Sequence, residues 1–308
     1  MVKPLSNKLD LELLNVLVTG GTGFIGSKLV DKLVNRGAQV TCLLRQGAIS
    51  NPAAKTVTGD LTYPDFILPD EQFDVVYHLA AAWPGEKDKK ILKTVNYDGT
   101  VNLFSLLKDK AKFIVYVSGL GVFGNPGDIV DENSQLKPNT EYAKVRLDAQ
   151  KYLESGCKEH GIAFSVAFLG DVYGNGGWFK NILVERLKKG SFRMPGSGEY
   201  YRSFVHVDDV VSALESIAEK NAINQSFVIT DSTPVRFKDF VNVVCKELGV
   251  KYPGTIPTIL AKAVMGGDFI NLLTTSMKTS NAKIAKLCDF VYKSYTDGVP
   301  STISEMKS

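Results

Sequence analysis

Histidine and cysteine are scarce in this chain, and their scarcity removes whole classes of chemistry. Three histidines are scattered through 308 residues, so no metal centre is expected. The four cysteines, Cys42, Cys157, Cys245 and Cys288, include no C-x-x-C pair. That pattern fits thiols in a reducing compartment, and neither a disulfide framework nor a zinc site. Long apolar runs are missing too: none reaches the roughly 18 residues that cross a bilayer. Asp10 and Glu12 stand where a signal peptide would carry its apolar centre. The net charge of +3 is too small to argue for a nucleic-acid partner. The expectation is a cytoplasmic protein without a membrane or nucleic-acid partner, working on a small molecule. It has no internal repeat and no low-complexity segment.

An apolar content of 44% against 22% charged residues is ordinary for a globular chain and supports one large or two modest domains. The most informative stretch is Leu17-Val18-Thr19-Gly20-Gly21-Thr22-Gly23-Phe24-Ile25-Gly26. An apolar run (Leu13, Leu14, Val16, Leu17, Val18) ends in glycines, and Ile25, Leu29 and Leu33 then recur at helical spacing. That reads as strand, tight turn and helix. Gly20 permits the turn, Gly23 lets backbone approach a diphosphate, and Gly26 lets helix pack on strand. The free N–H groups at the helix start, around Thr22 to Ile25, form a site for negative charge.

Further strands are expected at Val40–Leu44, Lys55–Thr58, Phe73–Leu79, Phe113–Val117, Ala163–Leu169 and Ser226–Ile229. Helices are expected at about 89–108, 140–160, 208–220 and 237–248. Alternating strands and helices argue for a parallel, doubly wound α/β sheet. Past Gly170, glycines and aromatics crowd together and the alternation is lost; residues 250–308 are poorly patterned. Arg45 follows the second strand, where this kind of fold meets the adenosine ribose. Leu44 stands where an acid would select NAD, and Arg45 could pair with a 2′-phosphate. NADP is therefore the expected cofactor, with NAD the alternative.

The T-G-x-x-G-x-x-G spacing resembles the short-chain dehydrogenase/reductase superfamily, and later motifs resemble its extended branch, the NAD-dependent epimerase/dehydratase family. The resemblance implies a Rossmann-type NAD(P)-binding domain over 12–170, with a return segment at about 203–232. It implies a small C-terminal substrate-binding cap, mainly 171–308, and a homodimer built on the two long helices. Asp60-Leu61 is similar to the family's acid-apolar pair, whose carboxylate accepts from the adenine amino group. Leu79-Ala80-Ala81 suits backbone lying against the cofactor ribose, and Asn96-x-Asp98-Gly99-Thr100 matches a helix motif. His78 reads as a packed, hydrogen-bonded histidine.

Tyr142 and Arg146 share a helix face, where the family carries Y-x-x-x-K. The resemblance makes Tyr142 the acid/base and gives Arg146 the nicotinamide ribose. Tyrosine titrates near ~10, so a neighbouring cation helps at neutral pH. Arginine keeps the charge but is planar and cannot give up its proton. Lys144, two residues on, points away. A second departure lies at Val117-Ser118-Gly119-Leu120-Gly121-Val122-Phe123-Gly124, where the family's catalytic hydroxyl falls on Gly119. By analogy with a lost oxyanion donor, that costs roughly 10²–10³ in rate, unless a twist at the strand end brings Ser118 into place. Leu120 and Gly121 replace the Asp-Glu of water-eliminating members, which argues against a dehydratase.

Tyr201-Arg202-Ser203-Phe204-Val205-His206-Val207-Asp208-Asp209 is similar to the family's R-x-F-V-H-V-x-D segment, whose arginine binds a substrate diphosphate. Arg202 inherits that role, while His206 and Asp209 are expected to hold the segment together. Gly170-Asp171-Val172-Tyr173-Gly174 resembles the stretch whose backbone, here at Val172, meets the nicotinamide amide. Asp171 stands where many members use asparagine against a phosphate, and a carboxylate there repels a diphosphate. The reading is an epimerase or reductase acting on a hydroxyl or carbonyl of a sugar-like substrate, nucleotide sugars included. The rival is a cofactor-binding sensor or assembly protein that has lost its chemistry. Gly119 and Arg146 favour the rival; the glycine turn, Tyr142 and the Arg202 segment favour the enzyme.

Overall fold

Five strands, β1 (Asn15–Thr19), β2 (Gln39–Leu44), β3 (Lys55–Thr58), β4 (Val75–His78) and β5 (Phe113–Gly119), pair in parallel in a computed structural model that describes residues 14–307. Leu13 of the first apolar run, and Asp10 and Glu12, lie outside the described residues. With β6 (Ala163–Leu169) and β7 (Ser226–Ile229) the strands make a seven-stranded sheet in the order β7-β6-β5-β4-β1-β2-β3. Val16, Leu17 and Val18 are all fully buried, as a strand covered on both faces must be. The order reverses direction at β1, between β2 and β4. Such a switch point leaves a crevice beyond the strand ends, the usual ligand position in this architecture.

Helix α1 (Phe24–Asn35) buries Gly26, Leu29, Val30 and Leu33. The three aliphatic side chains contribute on the order of 1.5–3 kcal/mol each. The long helix expected at 89–108 is interrupted. It consists of α2 (Lys89–Lys93), a π-helical turn over Thr94–Asp98, and α3 (Gly99–Leu107). The wide turn carries Asn96 into the interior, where its Oδ1 accepts from the Ala82 N–H at 2.9 Å. Single π turns of this kind are frequent at functional sites. Helix α4 (Glu141–His160) and helix α5 (Val207–Glu219) follow the expected bounds to within a residue.

The chain divides into two compact units. One takes the residues up to Gly119, Glu141–Phe168 and Val211–Phe227; the other takes Leu120–Thr140, Leu169–Val210 and the chain from Val228 onward. Leu120–Thr140 is tied within the second unit: Val130 bridges Thr279, and Glu132 Oε1 accepts from the Val228 N–H at 2.8 Å. The core of the second unit is aromatic. Phe204 and Phe240 stack with centroids 3.8 Å apart, with Tyr173 and Phe179 edge-on to Phe240. Phe240 comes from α6 (Phe237–Leu248). The weakly patterned end of the chain forms α7 (Thr258–Met265), α8 (Gly267–Thr274) and α9 (Tyr295–Lys307). Two of these helices have only eight residues, and α9 contains Pro300, so periodicity had little length on which to register.

Candidate active site

The turn between β1 and α1 is built by backbone alone. Gly20 has φ +76°, and a Cβ there would sit 2.9 Å from the Ala80 nitrogen. Only glycine takes this conformation against that neighbour without strain. A Cβ on Gly26 would run into the Gly20 carbonyl, so this glycine serves the turn itself as well as helix packing. Gly23 caps α1 with no side-chain hydrogen bond to the helix. The first amides of the helix, Phe24 and Ile25, therefore keep their donors for a ligand.

Around this turn, Thr19 organises the end of β4. Its Oγ1 accepts from the Ala80 N–H at 3.2 Å and meets His78 Nδ1 at 2.7 Å, while His78 Nε2 meets Thr100 Oγ1 at 3.0 Å. Burial, then the Arg146 charge, lowers the His78 pKa to about 3. His78 is a neutral packing histidine. Asp60 Oδ1 holds Thr62 through both its N–H and its hydroxyl, and the Leu61 carbonyl accepts from Asn102 Nδ2 at 2.9 Å. Arg45 is exposed beyond β2.

Arg146 is 3% exposed. Its Nη2 donates to the Val117 carbonyl, and its guanidinium carbon lies 4.5 Å above the Tyr116 ring. The Tyr116 hydroxyl in turn donates to the Arg146 carbonyl at 3.1 Å. Burial pushes the Tyr116 phenol up to about 12, against the pull of Arg146 and with that of Tyr142. Arg146 is thus clamped by β5 through backbone and ring together. Its Nη1 is buried without a partner, as is the Ser118 hydroxyl. Lys144 is turned away and pairs with Glu141 at 3.1 Å. Tyr142 is half-buried, one helical turn before Arg146.

In the second unit, Arg202 and Asp171 are joined to each other: Arg202 Nε to Oδ2 at 2.5 Å and Nη2 to Oδ1 at 2.6 Å. The Val172 carbonyl accepts from the Trp178 indole N–H at 2.7 Å. His206 and Asp209 do hold their segment. His206 Nε2 meets Thr302 Oγ1 at 3.1 Å, and the Asp209 carboxylate accepts from the Val291 and Tyr292 amides at 2.7 and 3.0 Å.

The NAD dependent epimerase/dehydratase family model matches residues 16–230. The chain belongs to the NAD-dependent epimerase/dehydratase family. A Methanocaldococcus jannaschii protein assigned as a UDP-glucose 4-epimerase is 28% identical over 258 residues, 77% of this chain and 83% of its own. A 3-beta-hydroxysteroid dehydrogenase from Mycolicibacterium neoaurum is 26% identical over 289 residues, 85% and 78% of the two chains. The crystal structure of dTDP-glucose 4,6-dehydratase from Streptomyces venezuelae, with NAD bound, has the same fold. It superposes with a TM-score of 0.82 at 21% identity, covering 96% of this chain and 97% of that one.

For a member of this epimerase/dehydratase family, the first unit fits a nicotinamide dinucleotide by the chemistry of its donors. The glycine turn leaves backbone amides open for a diphosphate. Ser118 Oγ, Arg146 Nη1 and Asn96 Nδ2 are buried polar atoms lacking partners; such atoms are costly unless a ligand or water answers them. The sequence shows Asn96 only as part of a motif; its burial on a widened turn is hidden, because a π turn leaves no mark in helical periodicity. Asp231 is hidden too. It is fully buried in the second unit, with Oδ1 accepting from the Thr233 N–H at 2.8 Å and Oδ2 unpaired. Burial is the main reason its pKa rises to about 7. A single aspartate in a Thr-Asp-Ser-Thr stretch reads as a turn residue, and only tertiary packing shows that it is enclosed.

Proposed function

We propose that this chain is an NAD(P)-dependent oxidoreductase or epimerase that acts on a hydroxyl or carbonyl of a small, sugar-like molecule, with Tyr142 as its acid/base. The observation that carries the reading is Arg146. A guanidinium clamped by the Val117 carbonyl and the Tyr116 ring, with one nitrogen unanswered, is preorganised to hold a polar ligand one turn from Tyr142. The nicotinamide, when bound, supplies the hydride donor or acceptor. The remaining work belongs to the protein. The Phe24 and Ile25 amides would hold the cofactor's diphosphate and Asp60 its adenine amino group, while the backbone at Leu79, Ala80 and Ala81 would lie against its ribose and that at Val172 would meet its nicotinamide amide. Arg146 Nη1 and Ser118 Oγ, both without partners, would donate to its nicotinamide ribose, and the Tyr142 phenol would give or take the proton at the substrate oxygen. Arg146 contributes a fixed positive charge and no proton, so the relay ends at Tyr142.

Arg45 supports a preference for NADP, because a guanidinium pairs with a 2′-phosphate in a charge-assisted fork. A cytoplasmic homodimer through α3 and α4 belongs to the same reading. Titration calorimetry with NADPH and NADH tests the cofactor assignment. NADPH should bind more tightly, and Arg45→Ala should erase the difference; equal affinities in the natural protein contradict it. The activity itself is tested by single-turnover hydride transfer, followed by nicotinamide absorbance, over a panel of carbonyl compounds and nucleotide sugars.

A further inference from the structure

Arg202 occupies the place from which the family's segment reaches a substrate diphosphate, yet its donors are directed elsewhere. Its side chain is 12% exposed. Nε and Nη2 form a fork on the two Asp171 oxygens at 2.5 and 2.6 Å. Nη1 donates to the carbonyls of Leu272, Leu273 and Thr275 at 2.8, 3.2 and 3.2 Å. Those carbonyls close the last turn of α8, where a helix has no donors of its own to offer them and carries a partial negative charge. Burial opposes the Arg202 charge, but Asp171 outweighs it and raises the Arg202 pKa.

Both partners are fixed by backbone. The Asp171 N–H donates to the Ser203 carbonyl at 2.9 Å, and the strand Asp171–Tyr173 pairs in parallel with Phe204–His206. Arg202 pairs through its own backbone with Val235. The ion pair is therefore a built element of the second unit, held from both sides.

We infer that the substrate presents no diphosphate to Arg202, so that its class is a hydroxy or keto compound without that group, nucleoside diphosphate sugars being excluded. A diphosphate at this arginine would have to displace a bidentate carboxylate, and would then lie against it. Like charges brought together in a partly desolvated place oppose binding strongly, and Asp171 has no second arginine contact to move to in the described residues. An asparagine at this position would leave the guanidinium charge uncancelled and offer the phosphate a donor. The inference rests on the proposed function, in that it takes the Arg202 segment as the substrate side of an NAD(P)-dependent enzyme.

The test is calorimetric titration of UDP and of UDP-glucose into the full chain, with nicotinamide cofactor already in excess so that the dinucleotide site is filled. The natural protein should take up neither ligand in the micromolar range. Asp171→Asn frees the guanidinium and removes the repelling charge, and should tighten UDP binding by roughly tenfold or more. Asp171→Ser is the second variant should the amide disturb folding, and circular dichroism monitors both. Micromolar UDP binding by the natural protein overturns the inference. So does a folded variant at Asp171 that binds cofactor yet gains no affinity for UDP. Cofactor uptake is measured in the same cell first. Its absence contradicts the proposed function, whereas tight UDP binding on a cofactor-bearing protein contradicts only the inference about substrate.

Discussion

A guanidinium where the family carries an ammonium changes what the residue can hold. Arg146 stacks on Tyr116 and donates to the Val117 carbonyl with separate parts of one planar group. Lysine, a point charge on a flexible stem, cannot do both. Arg146→Lys should cost about 1–2 kcal/mol in denaturant unfolding, the sum of a buried cation–ring contact and a buried hydrogen bond. An unchanged midpoint would show that the clamp contributes nothing. Asp231 makes a prediction of opposite sign. Its carboxyl has an ordinary pKa when unfolded and about 7 when folded. Below the unfolded value it is protonated in both states and adds no penalty. As pH rises toward 7 the unfolded chain releases the proton first, so stability falls across that window. Asp231→Asn should therefore raise the melting temperature near about pH 8 and change it little near about pH 4. Equal shifts at both values would contradict the assignment. Tyr142, Arg146 and the Asn96-x-Asp98-Gly99-Thr100 motif stand out in the sequence because they sit at fixed spacing. The clamp does not, since Tyr116 reads simply as one more apolar strand position.

Among the elements, the strand–turn–helix at residues 15–35 is the one whose sequence and structure agree at every level. Alternation of backbone type, buried strand and helical stripe all point one way, and Gly20 and Gly26 admit no side chain. Gly26→Ala puts a methyl group onto the Gly20 carbonyl, and the turn must open to receive it. Cofactor affinity should fall by roughly tenfold or more, with a loss of stability of about 1–3 kcal/mol from overpacking. Fluorescence titration with NADPH reads the first and thermal unfolding the second; unaltered affinity would mean that the turn is not the diphosphate cradle. Where the sequence reading ran short, the elements were brief or irregular. The π turn at Thr94–Asp98 breaks a helix that periodicity draws as continuous, and α7 and α8 are too short for an apolar stripe to stand out. The ion pair between Asp171 and Arg202 joins residues 31 apart, which no local pattern can join. In the sequence each reads separately, as an arginine for a diphosphate and a carboxylate that repels one, and their pairing is a tertiary fact.

For the whole molecule, ligand binding and stability are linked. At a free concentration one hundred times its Kd, a cofactor that binds only the folded chain adds about 2.7 kcal/mol. In a domain of this size that corresponds to a rise of several degrees, roughly 2–4 °C per kcal/mol. NADPH should raise the melting temperature more than NADH at equal concentration, and Arg45→Ala should make the two alike. A larger shift with NADH would reverse the cofactor assignment. Regular alternation ends near Gly170, and the compact units change over at Leu169; the membership of Leu120–Thr140 has no local mark, because it depends on contacts with residues more than 90 positions away. The central claim is that this is a hydride-transferring enzyme whose proton passes through Tyr142. It is tested most directly by single-turnover hydride transfer, followed at the nicotinamide absorbance, in the natural protein and in Tyr142→Phe. Loss of the phenol should lower the rate by roughly 10²–10⁴, with cofactor affinity unchanged. Transfer that proceeds at the natural rate without the phenol would contradict the claim.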